Sequence, residues 1–207
     1  MSNFNSDLNQ EEILSRYLDA VYKVKGFEFQ RIADMEKQHR GVDILISKNN
    51  VEYVVDEKAQ LHYLNKDLPT FTFELSYLKD KLKKEGWLFD KNKITQYYFL
   101  VTGIFLKNGQ STLKTPDDIH KLKITSVNRS KLIKHLDSIG LNNERLSNYD
   151  KQLRAKDAYG KNSIDELDAN HEGLIYFTQH LEEKPINLQL RLEYLLNVGV
   201  AKRFHYV

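Results

Sequence analysis

The sequence predicts a mixed α/β sandwich around a central sheet, and three observations predict it. An amphipathic stretch at helical spacing opens the chain, with Ile13, Leu14, Tyr17, Leu18, Val21 and Val24 on one stripe. Two β-branched runs, Val42 to Ser47 and Val51 to Leu61, then flank the polar triplet Lys48-Asn49-Asn50, which is a hairpin signal. A further apolar run, Tyr97 to Val101, reads as a buried strand.

Taken in order, Asp7 to Lys25 is the first helix, and Gly26 is placed to stop it. Phe27 to Ile32 follows as a strand, and the polar stretch Asp34 to Arg40 as a loop. The hairpin comes next. Thr70 to Ser76 alternates Phe71, Phe73 and Leu75 with polar residues, as a strand does, and leads into a helical-looking Tyr77 to Glu85. After Pro116 the pattern weakens: Leu122 to Val127 reads as a strand, Ser130 to Ile139 as a helix ending at Gly140, and Leu188 to Val198 as another helix. A short aromatic tail runs from Phe204 to Val207. No repeat, low-complexity tract or Pro/Gly/Ser linker divides the chain, so it reads as one compact unit.

Composition narrows the function classes. Cysteine is absent, which excludes disulfides and cysteine-ligated zinc, and the seven histidines show no zinc-ligand spacing. No apolar run is long enough to cross a bilayer, and the first residues lack the basic start and apolar centre of a secretory signal. A cytoplasmic protein is the expectation. The 31 basic and 29 acidic residues nearly cancel, but they are unevenly spread. Lysine and arginine dominate from Lys79 to Lys161, whereas Asp165, Glu166, Asp168, Glu172, Glu182 and Glu183 make the following stretch acidic. A basic middle suits a surface that tracks phosphates, and equally a lysine-rich solvated exterior.

The chemistry concentrates on the hairpin. A turn between Asn49 and Asn50 sets residues whose numbers sum to 99 opposite one another, so Asp43 faces Asp56. Directly opposed residues share a sheet face with Cβ atoms roughly 5 Å apart. Alternation puts Lys58 and Gln60 on the same face as Asp56. Two opposed carboxylates repel unless a cation sits between them, and their oxygens are the hard ligands that Mg²⁺ or Mn²⁺ prefers. A lysine reaching the same spot can orient water or stabilise charge on a phosphoryl oxygen. Metal, water and ammonium make a minimal apparatus for phosphodiester hydrolysis. The competing reading is a surface hairpin with one wet face. Against it, Ile44, Ile46, Val54 and Val55 make these strands strongly apolar, as in a sheet covered on both faces.

Gly41-Val42-Asp43 and Asp56-Glu57-Lys58 resemble the motif of the PD-(D/E)XK nuclease superfamily, which includes restriction endonucleases and Holliday-junction resolvases. The resemblance covers about the first half of the chain, and Val42 stands where the motif has proline. It implies a restriction-endonuclease-like central mixed sheet flanked by helices, an αβββαβ core, with a C-terminal α-rich extension. Residues 1–106 would be the catalytic core and residues 107–207 the extension, serving recognition or dimerisation. It further implies that Asp43 and Asp56 bind the metal and that Lys58 helps to activate water. Asp56 and Glu57 stand in tandem, and a β-bulge would let Glu57 take the ligand position instead. Many family members add an acidic residue from the first helix. Glu11 lies on the flank of the apolar stripe and is favoured over Glu12, although acids in a first turn also suit the helix dipole. Gln60 resembles a glutamine that some members carry after the lysine to bond a phosphate.

Gln38, His39 and Arg40 precede Asp43 and are candidates for phosphate contact, as is His62 for the groove. The expected function is a Mg²⁺- or Mn²⁺-dependent nuclease, most simply a DNA endonuclease. Its partner would be nucleic acid, and a homodimer would let two sites cut both strands. The alternative from another class is a nuclease-like fold that binds nucleic acid or protein without cutting.

Overall fold

A computed structural model describes residues 2–206, with side chains from Asn9 onward. The chain begins with α1 (Ser2–Val24), β1 (Glu28–Arg31), α2 (Met35–His39), β2 (Ile44–Lys48) and β3 (Val51–Ala59). It continues through β4 (Thr70–Lys79), β5 (Leu82–Glu85), β6 (Tyr97–Leu106), β7 (Ile119–Asn128), α3 (Arg129–Ser138) and α4 (Asn143–Ala155). It ends with β8 (Gly160–Asn162), β9 (Gly173–Phe177), β10 (Ile186–Arg191), α5 (Leu192–Asn197) and β11 (Ala201–Tyr206). The class is mixed α/β, as the sequence predicts. Among the described residues no helix is long and apolar enough to cross a membrane.

Two compact units interleave in sequence: Met1–Leu68, Ile94–Val127 and Lys202–Val207 form one, and Pro69–Lys93 and Asn128–Ala201 form the other. The division expected near residue 106 therefore falls elsewhere. The physical reason is strand pairing, because β4 and β5 hydrogen-bond into the same sheet as β8, β9 and β10.

The first unit carries a six-stranded sheet in the order β1-β2-β3-β6-β7-β11. β1, β2 and β3 meander antiparallel, and β6 lies parallel to β3 with Val55 beside Tyr97 and Lys58 beside Leu100. α1 packs Ile13, Leu14, Leu18 and Val21 of its predicted stripe, together with Tyr22, against Ile44, Ile46, Val55, Phe99 and Val101, whereas Val24 at the stripe's end is exposed. Each such burial contributes about 1.5–3 kcal/mol, so this seam is a large share of the unit's stability. The helix stops at Gly26 as expected: φ there is 73°, and its N–H donates to the Lys23 carbonyl at 2.9 Å. The stretch read as a loop after Asp34 instead makes the short helix α2, capped by Asp34 accepting from the Lys37 N–H at 3.0 Å.

The second unit carries the five-stranded antiparallel sheet β5-β4-β10-β9-β8, with α3, α4 and α5. It corrects two expectations. The helical-looking Tyr77 to Glu85 is the hairpin of β4 and β5, turned at Asp80 and Lys81 with φ of 52° and 61°. The residues after 106 are not α-rich, since β7 to β11 accompany three helices there. The crossover helix of an αβββαβ core is likewise absent. Between β3 and β6 the described residues form a 3-10 turn at Leu61–Tyr63 and the strands β4 and β5, but no α-helix. Leu188 to Val198 divides between β10, with Leu188 and Leu190 buried, and the short α5.

Candidate active site

The hairpin of β2 and β3 positions the chemistry, and its register is the one the sequence predicts. Asn49 and Asn50 turn with φ of 55° and 62°, the paired left-handed conformation of a tight hairpin turn. Ile44 then pairs with Val55, Leu45 with Val54 and Ile46 with Tyr53. One step beyond the ladder, the Asp43 N–H donates to the Val55 carbonyl at 3.0 Å. The approach to Asp43 is pinned as well. Gly41 has φ of 75°, its carbonyl accepts from the buried Thr95 hydroxyl at 2.7 Å, and the Val42 N–H reaches the Lys37 carbonyl at 3.1 Å.

Asp43 and Asp56 come together where the two strands separate. Asp43 Oδ2 accepts the Glu57 backbone N–H at 2.8 Å. Asp56 is 1% exposed, and the Lys58 Nζ stands 2.6 Å from its Oδ1. Apart from Lys58 and Asp43, no donor of the described residues reaches the Asp56 carboxyl oxygens. Burial first, and the Asp56 charge second, push the Asp43 carboxyl up to about 7. A hydrogen bond with Asp56 pushes the same way, while Lys58 and the Glu57 N–H pull it back. Two carboxylates crowded in an apolar setting hold a proton between them, or a cation in its place.

Glu57, beside Asp43 and Lys58 in the cleft wall, is engaged by α1 and β1. The Tyr22 hydroxyl donates to its Oε1 at 2.5 Å and Arg31 Nη1 to its Oε2 at 2.7 Å. Arg31 also bonds Asp19 at 2.8 Å and the Ser15 carbonyl at 2.9 Å. Burial opposes the guanidinium charge, but Glu57 and Asp19 outweigh it and raise Arg31 above its ordinary value. Burial and the Glu57 charge hold the Tyr22 phenol well above its ordinary value. With its oxygens committed to Tyr22 and Arg31, Glu57 is the poorer ligand, which favours Asp56 in the tandem.

A cleft of about 580 Å³ opens here, lined by Asp43, Glu57 and Lys58, by Arg31 and Gln38, and by Glu11 and Glu12 of α1. Glu12 is ion-paired to Arg16 at 2.5 Å. Gln38 turns its amide onto the Ile32 carbonyl at 2.8 Å. Arg40, which caps the end of α2, and Gln60, which starts the 3-10 turn after β3, lie outside the lining. His39 and His62 are exposed. Among the described residues no group of three or more His, Asp or Glu is close enough to hold a metal ion. The donor set nevertheless suits Mg²⁺, which takes one or two carboxylates and keeps several waters. Asp56, buried with no donor beyond Lys58 and Asp43, has the character of such a ligand.

The Arg31, Glu57 and Tyr22 network was not anticipated from sequence. Its signal was present: Arg31 continues the inward row of Phe27 and Phe29, and Glu57 continues that of Val55. Charges of opposite sign in two facing apolar rows announce a buried pair. Compared with protein-family models, curated proteins and solved structures, the chain matches none.

Proposed function

We propose that this chain is a divalent-metal-dependent phosphodiesterase acting on nucleic acid, most simply a DNA endonuclease of PD-(D/E)XK type. One observation carries the reading: half-buried Asp43 beside buried Asp56, with the Lys58 ammonium 2.6 Å from Asp56, and with Asp43 and Lys58 lining a cleft behind whose wall Asp56 sits. The order α1, β1, β2, β3, with β6 parallel beside β3, supports it. Asp43 and Asp56 would hold Mg²⁺ or Mn²⁺, with Glu11 on the rim. Bound there, the ion supplies Lewis-acid stabilisation of phosphoryl charge and a more acidic water. Lys58, oriented by Asp56, positions the attacking water and meets charge developing on the phosphoryl oxygens. Arg31 stays committed to Glu57 and Asp19 and keeps the cleft floor rigid. Gln38, Arg40 and Gln60 are the nearest candidates for phosphate contacts. Cutting both strands of a duplex would call for two copies.

Purified protein incubated with plasmid, linear duplex, single-stranded and branched DNA in Mg²⁺ or Mn²⁺ tests the reading. Cleavage by the wild type, lost with chelator and lost in Asp56→Asn, supports it. Absence of cleavage on every substrate would sink it.

A second reading, a binding module that does not cut, draws on the missing third ligand. Lys58 paired to Asp56, and a proton held between the two aspartates, satisfy the pair without an ion. Calorimetric titration with Mn²⁺ separates the two, because the binding module takes up no specific ion.

A further inference from the structure

The first unit has a second pocket, at the other end of its sheet. It encloses about 380 Å³, within the range of small-ligand sites. Its walls are aromatic: Phe27, Tyr53, Tyr97, Phe99 and Phe204. Four of these, all but Phe99, are only half-buried, so ring surface is left open to a guest. The rings are set at angles to one another and brace the pocket. Tyr53 meets Tyr97 edge to face at 5.6 Å, and Phe204 lies 4.6 Å from Phe99 and 5.5 Å from Phe27.

Charge at the rim is of one sign. Lys48 and Lys202 line the pocket and no acidic residue does. Lys48 is held in place, donating to the Lys25 carbonyl at 2.7 Å and lying 4.9 Å above the Phe27 ring. Lys25 adds a third cation 5.3 Å from the Phe204 ring. Ser126 and Asn49 supply polar groups at the edge. Flat aromatic walls under a cationic rim match a flat heterocycle carrying an anion.

We propose that this pocket binds a nucleoside monophosphate unit, the base stacking among Tyr53, Tyr97 and Phe204 and the phosphate meeting Lys48 and Lys202. The unit comes either from a free nucleotide or from an unpaired nucleotide of a strand. The inference does not depend on hydrolysis at Asp43 and Asp56. Strand geometry separates the two places, since Tyr53 and Lys58 are five residues apart on β3, roughly 16 Å.

Isothermal titration of the full chain with adenosine and thymidine 5′-monophosphates, and with a short oligothymidylate, tests it. Saturable binding is expected, weakened about tenfold in Tyr53→Leu through lost stacking. Lys202→Glu, at an exposed position, should also weaken it, with a loss that shrinks at high salt. The matching nucleosides should bind less tightly than the nucleotides. Tight monophosphate binding identifies the free nucleotide as the source, and binding of the oligomer alone identifies the strand. Asp56→Asn should leave the affinity unchanged whether or not the chain cleaves DNA. No saturable binding of any probe, or binding lost in Asp56→Asn and kept in both pocket variants, would overturn the assignment.

Discussion

Arg31 and Glu57 face each other across β1 and β3 at 2.7 Å, and each is further tied to α1, Arg31 through Asp19 and Glu57 through Tyr22. This ion pair locks the helix to the sheet beneath the cleft. Removing one partner strands a partly buried charge, which costs about 3–5 kcal/mol in a fully buried pair and less here, about 2–3 kcal/mol. Arg31→Met and Glu57→Leu should each lower the unfolding free energy, read from urea denaturation, by that amount. The double variant should recover part of the loss, because the mutual charge pair is gone although Asp19 and the Tyr22 hydroxyl lose these partners. Two losses that simply add would refute the coupling.

The raised Asp43 carboxyl makes stability fall with pH. Its ordinary value is 3.8 and its value in the fold is about 7, so between these the native state binds more protons than the unfolded chain. The Asp43 contribution to stability therefore declines as pH rises from about 4 to about 7 and is flat beyond. Asp43→Asn should remove most of that slope and raise the melting temperature at pH about 8. Melting curves across this range, taken with chelator, check the sign. An Asp43→Asn variant whose melting point follows the wild-type pH profile over the same interval would contradict it.

Lys58→Ala should leave the fold intact and reduce cleavage about 10²-fold or more, because the ammonium acts where phosphoryl charge develops. Circular dichroism separates this from unfolding. Lys58→Arg keeps the charge but changes its reach and shape, so it should restore only part of the rate. Full activity in Lys58→Ala would remove lysine from the mechanism.

How much of this was legible in the sequence depends on whether a local signal competed with another. Asn49-Asn50 between β-branched runs admits one register, so the meeting of Asp43 and Asp56 followed from counting. α1 and its stop at Gly26 were equally unambiguous. In contrast, Leu188, Leu190, Leu192 and Leu195 satisfy both strand and helix periods, and β10 was absorbed into the following helix. β5 is exposed along its whole length, so no buried row distinguished it from a polar helix. The interleaved second unit was invisible for a different reason. Its sheet pairs β4 with β10, more than a hundred residues apart, and no local pattern encodes such a partner. The Arg31–Glu57 pair was missed because Arg31 looked like an ordinary polar strand residue and Glu57 was weighed only as a metal ligand, without regard to the row facing it.

The two acids of α1 should respond differently to metal. Glu12 already pairs with Arg16, whereas Glu11 lines the cleft with no ion pair among the described residues. A ligand that binds only the native state raises stability by about 2.7 kcal/mol at a hundredfold excess over its dissociation constant. Mn²⁺ should thus raise the melting temperature of the wild type and of Glu12→Gln alike. In Glu11→Gln the rise should require several-fold more ion, and in Asp56→Asn far more still, since only Asp43 of the two carboxylates remains. Equal shifts in all four proteins would place the ion elsewhere. Loss in Glu12→Gln rather than Glu11→Gln would mean that Arg16 releases its partner when metal binds, and would exchange the roles of the two glutamates.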